Sequence, residues 1–164
     1  MVRARAWLPC AVVLALAATG CALPGALPPG TSIDAARHQW LAPTGEYRLP
    51  NGGTRLEYAQ GSFGKQTYML DFDANGVLVS SRQVLTEENF ATITPGLGLA
   101  DVRARLGRPA HVFAVPWQKL HVWNYRYFDG NCVWFQVSIS DAAQQVTEAG
   151  LGYDPACDGP RSRE

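Results

Sequence analysis

The spacing of apolar and polar residues divides the chain after residue 30 into helical and extended stretches that come round twice. In the first stretch, Thr31-Ser32-Ile33-Asp34 offers hydroxyls to free backbone N–H groups with an acid in the first turn. This predicts a helix to about Leu41, ended by Pro43. The period then drops to two: Arg55 to Tyr58 and Thr67 to Phe72 alternate as strands do. A third strand, Val77 to Val84, follows Asn75-Gly76, a turn whose residues tolerate positive φ. Beyond Thr86 a short helix is expected over about Glu87 to Ile93. Leu99, Val102 and Leu106 then form one helical stripe, with Gly107 placed to take a left-handed stop and Pro109 forbidding continuation. Three more strands are expected, at about His121 to Phe128, Cys132 to Ile139 and Gln145 to Leu151.

The two series align. With Pro29-Gly30 set on Pro95-Gly96, an offset of 66, Ala36 falls on Val102, Arg37 on Arg103 and Pro43 on Pro109. After one inserted residue the offset is 67, and Leu56 meets Trp123, Tyr58 meets Tyr125, Tyr68 meets Phe135 and Leu70 meets Val137. Three strands cannot bury both faces, so helices must cover one. The expected fold is therefore α+β, a tandem repeat of helices packed on a three-stranded antiparallel meander, with residues 31–85 as first copy, 86–157 as second and 158–164 as a polar tail.

Residues 1–20 read as a targeting segment. Arg3 and Arg5 precede an apolar run from Trp7 to Ala18 that falls short of the roughly 20 residues needed to span a bilayer. The run ends in Ala18-Thr19-Gly20-Cys21, which resembles the lipobox of bacterial lipoproteins, with Ala18 where Leu is usual. That resemblance implies cleavage before Cys21 and lipid on its sulfur, a firm anchor because each buried methylene contributes about 0.8 kcal/mol. The other reading is an ordinary cleaved signal in which Cys21 is incidental. Residues 21–30, rich in Leu, Pro, Ala and Gly, read as a tether. Ala22, where lipoproteins retained at the inner membrane carry Asp, implies the outer membrane. Cys10 leaves with the leader and Cys21 is acylated, so Cys132 and Cys157 remain as an even pair and predict a disulfide in an oxidising compartment. Charge changes the picture little. The precursor carries 14 basic and 14 acidic side chains, and loss of Arg3 and Arg5 leaves the mature chain at a formal −2. No basic stripe suited to nucleic acid is present.

In the second copy, Ile93-Thr94-Pro95-Gly96-Leu97, Ala100-Asp101-Val102, Leu106-Gly107-Arg108-Pro109 and Trp123-Asn124-Tyr125 resemble the SmpA/OmlA family of outer-membrane lipoproteins. Leu97 replaces the usual Met, and the first copy has drifted, with Trp40-Leu41-Ala42-Pro43 in place of Leu-Gly-x-Pro. The resemblance spans about Glu87 to Leu151 and gives Gly96, Val102, Leu106, Gly107, Pro109, Trp123 and Tyr125 structural roles. The doubled arrangement also resembles the beta-lactamase-inhibitor proteins, which bind enzymes across a sheet surface. Both imply a binder.

Candidate chemistry is sparse. Ser62, in Gly61-Ser62-Phe63-Gly64, lacks the elbow pattern of a nucleophile. His38, His111 and His121 are isolated in sequence, on a helix, in a loop and at a strand start. Asp71-Phe72-Asp73-Ala74-Asn75-Gly76 opens like a calcium loop, but Arg82 stands at its twelfth position where a bidentate Glu is required, which leaves a polar hairpin turn and no metal. Seven aromatics crowd residues 117–135, and the sheet face with Trp134 and His121 is the expected partner surface unless the first copy covers it. Together these readings predict a non-enzymatic lipoprotein facing the periplasm, without cofactor or small-molecule substrate. Its membrane contact is lipid, and its partner an envelope protein in outer-membrane assembly or maintenance. The alternative is a periplasmic enzyme-inhibitor-like binder.

Overall fold

A computed structural model describes residues 27–40, 42–61, 63–127 and 132–157. The leader, Cys21, most of the tether, Ser62 and the polar tail lie outside them. The chain is mainly β: two antiparallel four-stranded sheets, each ordered as a simple meander, with small helices. The expectation of an α+β fold with three-stranded meanders is overturned. The first sheet comprises β1 (Gly45–Arg48), β2 (Thr54–Ala59), β3 (Thr67–Phe72) and β4 (Leu78–Gln83). The second comprises β5 (His111–Val115), β6 (Leu120–Arg126), β7 (Val133–Ser140) and β8 (Val146–Tyr153). The helices α1 (Ile33–Gln39), α2 (Glu87–Phe90) and α3 (Leu99–Leu106) have only 7, 4 and 8 residues.

The added strands are β1 and β5, both at sheet edges. β1 has four residues and only Tyr47 as a large apolar side chain. β5, between Pro109 and Pro116, is exposed along nearly its whole length, and β1 alternates only between half-buried and exposed, so neither strand buries enough apolar surface to mark its period in the sequence. Helix starts follow their local chemistry. Ser32 Oγ accepts from the Ala35 N–H at 3.2 Å, and Thr86 Oγ1 accepts from the Asn89 N–H at 3.3 Å. Helix α1 stops at Gln39, two residues short of the expected end, and α2 at Phe90, three short.

The two sheets pair in the same register. Leu56 faces Leu70 and Tyr58 faces Tyr68, while Trp123 faces Val137 and Tyr125 faces Phe135, each residue 67 beyond its counterpart. Each ladder shifts at the corresponding point, between Asp71 and Phe72 and between Ser138 and Ile139. The start of each main helix is tied to the last strand of its sheet by a bridge, Ser32 to Val77 and Gly98 to Gln145.

Burial explains why the halves adhere. Along β3 every side chain is buried: Tyr68, Leu70 and Phe72 pack with Ala36 of α1 and Leu56, whereas Met69 joins the core of the second half. That core contains Val102 and Leu106 of α3, Phe90, Tyr125, Tyr127, Phe135, Val137 and Ile139. Helix α3 is thus flanked by a sheet on each side, and each of its buried aliphatic side chains contributes about 1.5–3 kcal/mol relative to exposure. Among the described residues no helix is long and apolar enough to cross a membrane.

Cys132 and Cys157 form a disulfide with Cα atoms 6.1 Å apart, closing a span of 25 residues around β7 and β8. The Asp154 N–H donates to the Cys132 carbonyl at 3.0 Å, and Arg126 pairs with Asp154 at 2.5 Å beside it. Replacing both cysteines by Ala is expected to lower unfolding free energy by about 3 kcal/mol, the loop-closure value for such a span, measured by urea unfolding. A change below about 1 kcal/mol would show that the ends of this loop are held together without the bond.

Candidate functional site

The site is built on a carboxylate that sequence alternation leaves unremarked. Glu57, in the middle of β2, is fully buried. It is met by three donors: Thr44 Oγ1 to Oε1 at 2.8 Å, Tyr47 OH to Oε2 at 2.5 Å and the Arg108 backbone N–H to Oε1 at 2.9 Å. A carboxylate taken out of water needs such partners, or burial costs several kcal/mol. The third donor comes from the other half of the chain, immediately after α3, so Glu57 joins the halves.

Two glycines permit the approach. A Cβ on Gly45 would lie 2.8 Å from Glu57 Oε2, and one on Gly107 would lie 2.8 Å from Thr67 Cγ2 and 2.9 Å from Glu57 Cδ. Gly107 also has φ +77° and ψ −158°, a region essentially reserved for glycine. The expected left-handed stop of α3 is therefore also a point of close contact with the first sheet. Alongside, Arg55 donates to Asp71 at 2.5 and 2.7 Å and to the Ala104 carbonyl of α3 at 2.8 Å. The Asp71 hydrogen bonds hold the Arg55 guanidinium above its ordinary value although burial opposes this. Tyr125, fully buried on the other side of α3, donates its hydroxyl to the Gly107 carbonyl at 3.2 Å.

Above this joint lies a cleft of about 520 Å³ between the halves. Arg103, Arg108, His111, Thr44, Val112 and Trp123 are among its walls, and none of its described lining residues is acidic. Arg103 lies 6.0 Å from the centre of the Trp123 ring, and its side chain also reaches the Tyr47 hydroxyl. Its Nε is buried without a hydrogen-bond partner. Arg108 is exposed, and its guanidinium has no ion pair with a described residue, unlike Arg37, Arg55, Arg82 and Arg126. The concavity thus presents two guanidinium groups, a set that favours a carboxylate or another oxyanion. Its outer lip is β5, where Val112 is 46 % exposed, Phe113 38 % and, in the turn that follows, Trp117 81 %.

The family-motif positions converge here only in part. Leu106, Gly107, Pro109, Trp123 and Tyr125 surround the joint or the cleft, and Val102 is core. Gly96, at φ +89°, sits at the start of the α3 segment, its N–H donating to the Val146 carbonyl at 2.8 Å. Trp134 and His121 do not share a surface. Trp134 is opposite Arg126 and His121 opposite Ile139, so they stand on opposite faces of the sheet. Trp134 is buried beneath the Arg126 guanidinium, 5.4 Å away, while exposed His121 pairs with Asp141 through Nδ1. His111 lies on β5 rather than in a loop. In the Asp71–Gly76 hairpin, Asp73 Oδ1 accepts from the N–H groups of Asn75 and Val77, both at 2.9 Å, as a turn does. Among the described residues no three His, Cys, Asp or Glu side chains gather to hold a metal. Sequence reasoning missed Glu57, Arg103 and Arg108. The available signal was the run of arginines at 103, 105 and 108 around Leu106-Gly107.

No family model and no curated protein matches the chain. Among solved structures, a cysteine-rich secretory protein from Staphylococcus aureus is similar at 12% identity and a TM-score of 0.29, over 76% of this chain and 44% of that one. The chain therefore spans less than half the length of that protein, and at this level the likeness says nothing about the cleft.

Burial raises the Tyr125 hydroxyl well above its ordinary 10.0 and raises Tyr58, and burial together with the Glu57 hydrogen bond raises Tyr47. The unfolded chain therefore loses these protons first. Their stabilisation is complete below about pH 10 and declines as pH rises above it. Thermal midpoints should fall steeply above pH 10. Tyr125→Phe should lower the midpoint at neutral pH by the loss of one hydrogen bond, about 0.5–1.5 kcal/mol, and make the alkaline fall shallower. An unchanged alkaline slope would show that Tyr125 titrates freely in the folded chain.

Proposed function

We propose that the mature chain is a non-enzymatic accessory protein of the bacterial outer membrane, anchored by lipid on Cys21 and facing the periplasm. In this reading it supports membrane-protein assembly or envelope maintenance by holding a protein partner. The observation that carries the reading is the lip of the cleft: β5, paired on one side only among the described strands, exposes Val112 on one face and Phe113 on the other, and Trp117 stands out in the turn that follows. Exposed aromatic and aliphatic side chains grouped in this way, beside a polar rim, suit contact with another protein. Two further features support the compartment. The lipobox-like Ala18-Thr19-Gly20-Cys21 directs export, and the Cys132–Cys157 disulfide suits an oxidising environment. The partner surface favoured here is the β5 lip, because Trp134 is buried.

A photo-crosslinking residue placed at Trp117 in intact cells should capture a membrane-embedded or membrane-assembly protein, and the mass of the captured chain should carry diacylglycerol on residue 21. Adducts confined to soluble periplasmic enzymes would replace this reading with the inhibitor-like one, and an unmodified sulfur at Cys21 would remove the anchor.

A further inference from the structure

We infer that β5 and the cleft together form one binding site for an extended peptide strand that ends in a carboxylate, the strand pairing with β5 and the carboxylate entering between Arg108 and Arg103. The inference rests on the reading of the chain as a protein-binding module and names the chemistry that such a partner would present.

Three observations meet at this point. First, β5 is the outer strand of its sheet and pairs with β6 alone among the described strands, so its other edge offers main-chain donors and acceptors to an incoming strand. Natural edges are usually blunted by Lys, Pro or inward charge. This one reads His-Val-Phe-Ala-Val, with no charged residue other than a titratable imidazole. Second, the strand and the cleft share residues. Ala110, His111 and Val112 begin β5 and also line the cleft. Third, among the described residues the cleft lining carries two arginines and no acid, and the guanidinium of Arg108 has no ion pair.

Direction follows from geometry. A strand added antiparallel to β5, the commoner and more stable pairing, runs with its C-terminal end towards His111 and therefore towards the arginines. Its side chains alternate between the face of Val112 and Ala114 and the face of Phe113, which favours apolar residues at alternate positions. Because the cleft lies at the end of the strand, the carboxylate is either the chain terminus or the side chain of a terminal Asp or Glu. The two sources present the same oxyanion to Arg108.

The test uses the purified full chain and fluorescent octapeptide pools with Val at alternate positions and random residues elsewhere. One pool is a free acid, one a neutral C-terminal amide, one an amide ending in Asp, and one a free acid with alternate peptide nitrogens methylated. Anisotropy titration is expected to show the free-acid pool bound about tenfold more tightly than the neutral amide, with the methylated pool losing most binding. The Asp-terminated amide binding as well as the free acid supports a side-chain source, and its binding as poorly as the neutral amide supports the chain terminus. Arg108→Glu, a change at an exposed side chain whose backbone N–H is retained, should bring the acid and neutral amide to equal affinity. Neutral amides binding as well as acids, methylated peptides binding as well as unmethylated ones, or an acid preference that survives Arg108→Glu would each overturn the inference. A membrane-assembly partner captured from Trp117 alongside such a result would leave the proposed function standing and retire this site alone.

Discussion

A charged carboxylate sealed inside a protein constrains everything around it, because each of its oxygens must be given donors before the chain can close. Glu57 imposes that constraint on both halves of this molecule. Thr44 and Tyr47 supply donors from the first half, and the Arg108 N–H can reach Oε1 only if α3 ends at Gly107 against the first sheet. Removing a donor leaves a buried charge under-solvated, a cost of several kcal/mol, so the arrangement of the halves is fixed by polar chemistry as well as by apolar contact. The apolar contribution is broader. Met69, Val84 and Leu85 from the first half enter the core that Val102, Leu106, Tyr125 and Val137 build in the second.

The cleft is a consequence of the same joint. Once the backbone of residues 107 and 108 is turned inward to Glu57, the side chain of Arg108 projects outward, and Arg103, five residues earlier in the last turn of α3, lies across Trp123. Arg103, favourable in the last turn of α3 because it opposes the helix dipole, thereby becomes part of the wall of a concavity, together with Arg108 just beyond the helix. β5 starts directly after Pro109 and carries exposed apolar side chains away from that wall. A structural turn and the lip of the cleft are thus near neighbours in one segment, and a change that disturbs the first alters the second.

Much of the local structure was legible because its causes are local. Ser32 and Thr86 mark helix starts through their own hydroxyls, Val102 and Leu106 fall on the buried stripe, Gly107 takes positive φ, and Thr67–Phe72 alternates as a strand. The disulfide followed from counting cysteines. What escaped depends on contacts remote in sequence. The edge strands β1 and β5 bury too little to show a period, so two four-stranded sheets were read as three-stranded and the fold as α+β. Glu57 alternates with Leu56 and Tyr58 and so reads as a solvent-facing residue, whereas the face it occupies is covered by the end of α3 and by the Arg108 backbone, 51 residues further on. Trp134 was misplaced for a related reason: Arg126, paired with Asp154, lies over its ring.

The central claim is that Glu57 couples the two sheets into one cooperative unit. Native-state hydrogen exchange on the wild-type chain and Glu57→Gln tests it most directly, with amides of β3 and β7 as reporters. The account predicts that both strands exchange through a common opening in the wild type and that their protection falls together in the variant, by about 1–3 kcal/mol. Weakened protection in β3 with β7 unchanged would contradict it, because the second sheet would then stand without the joint.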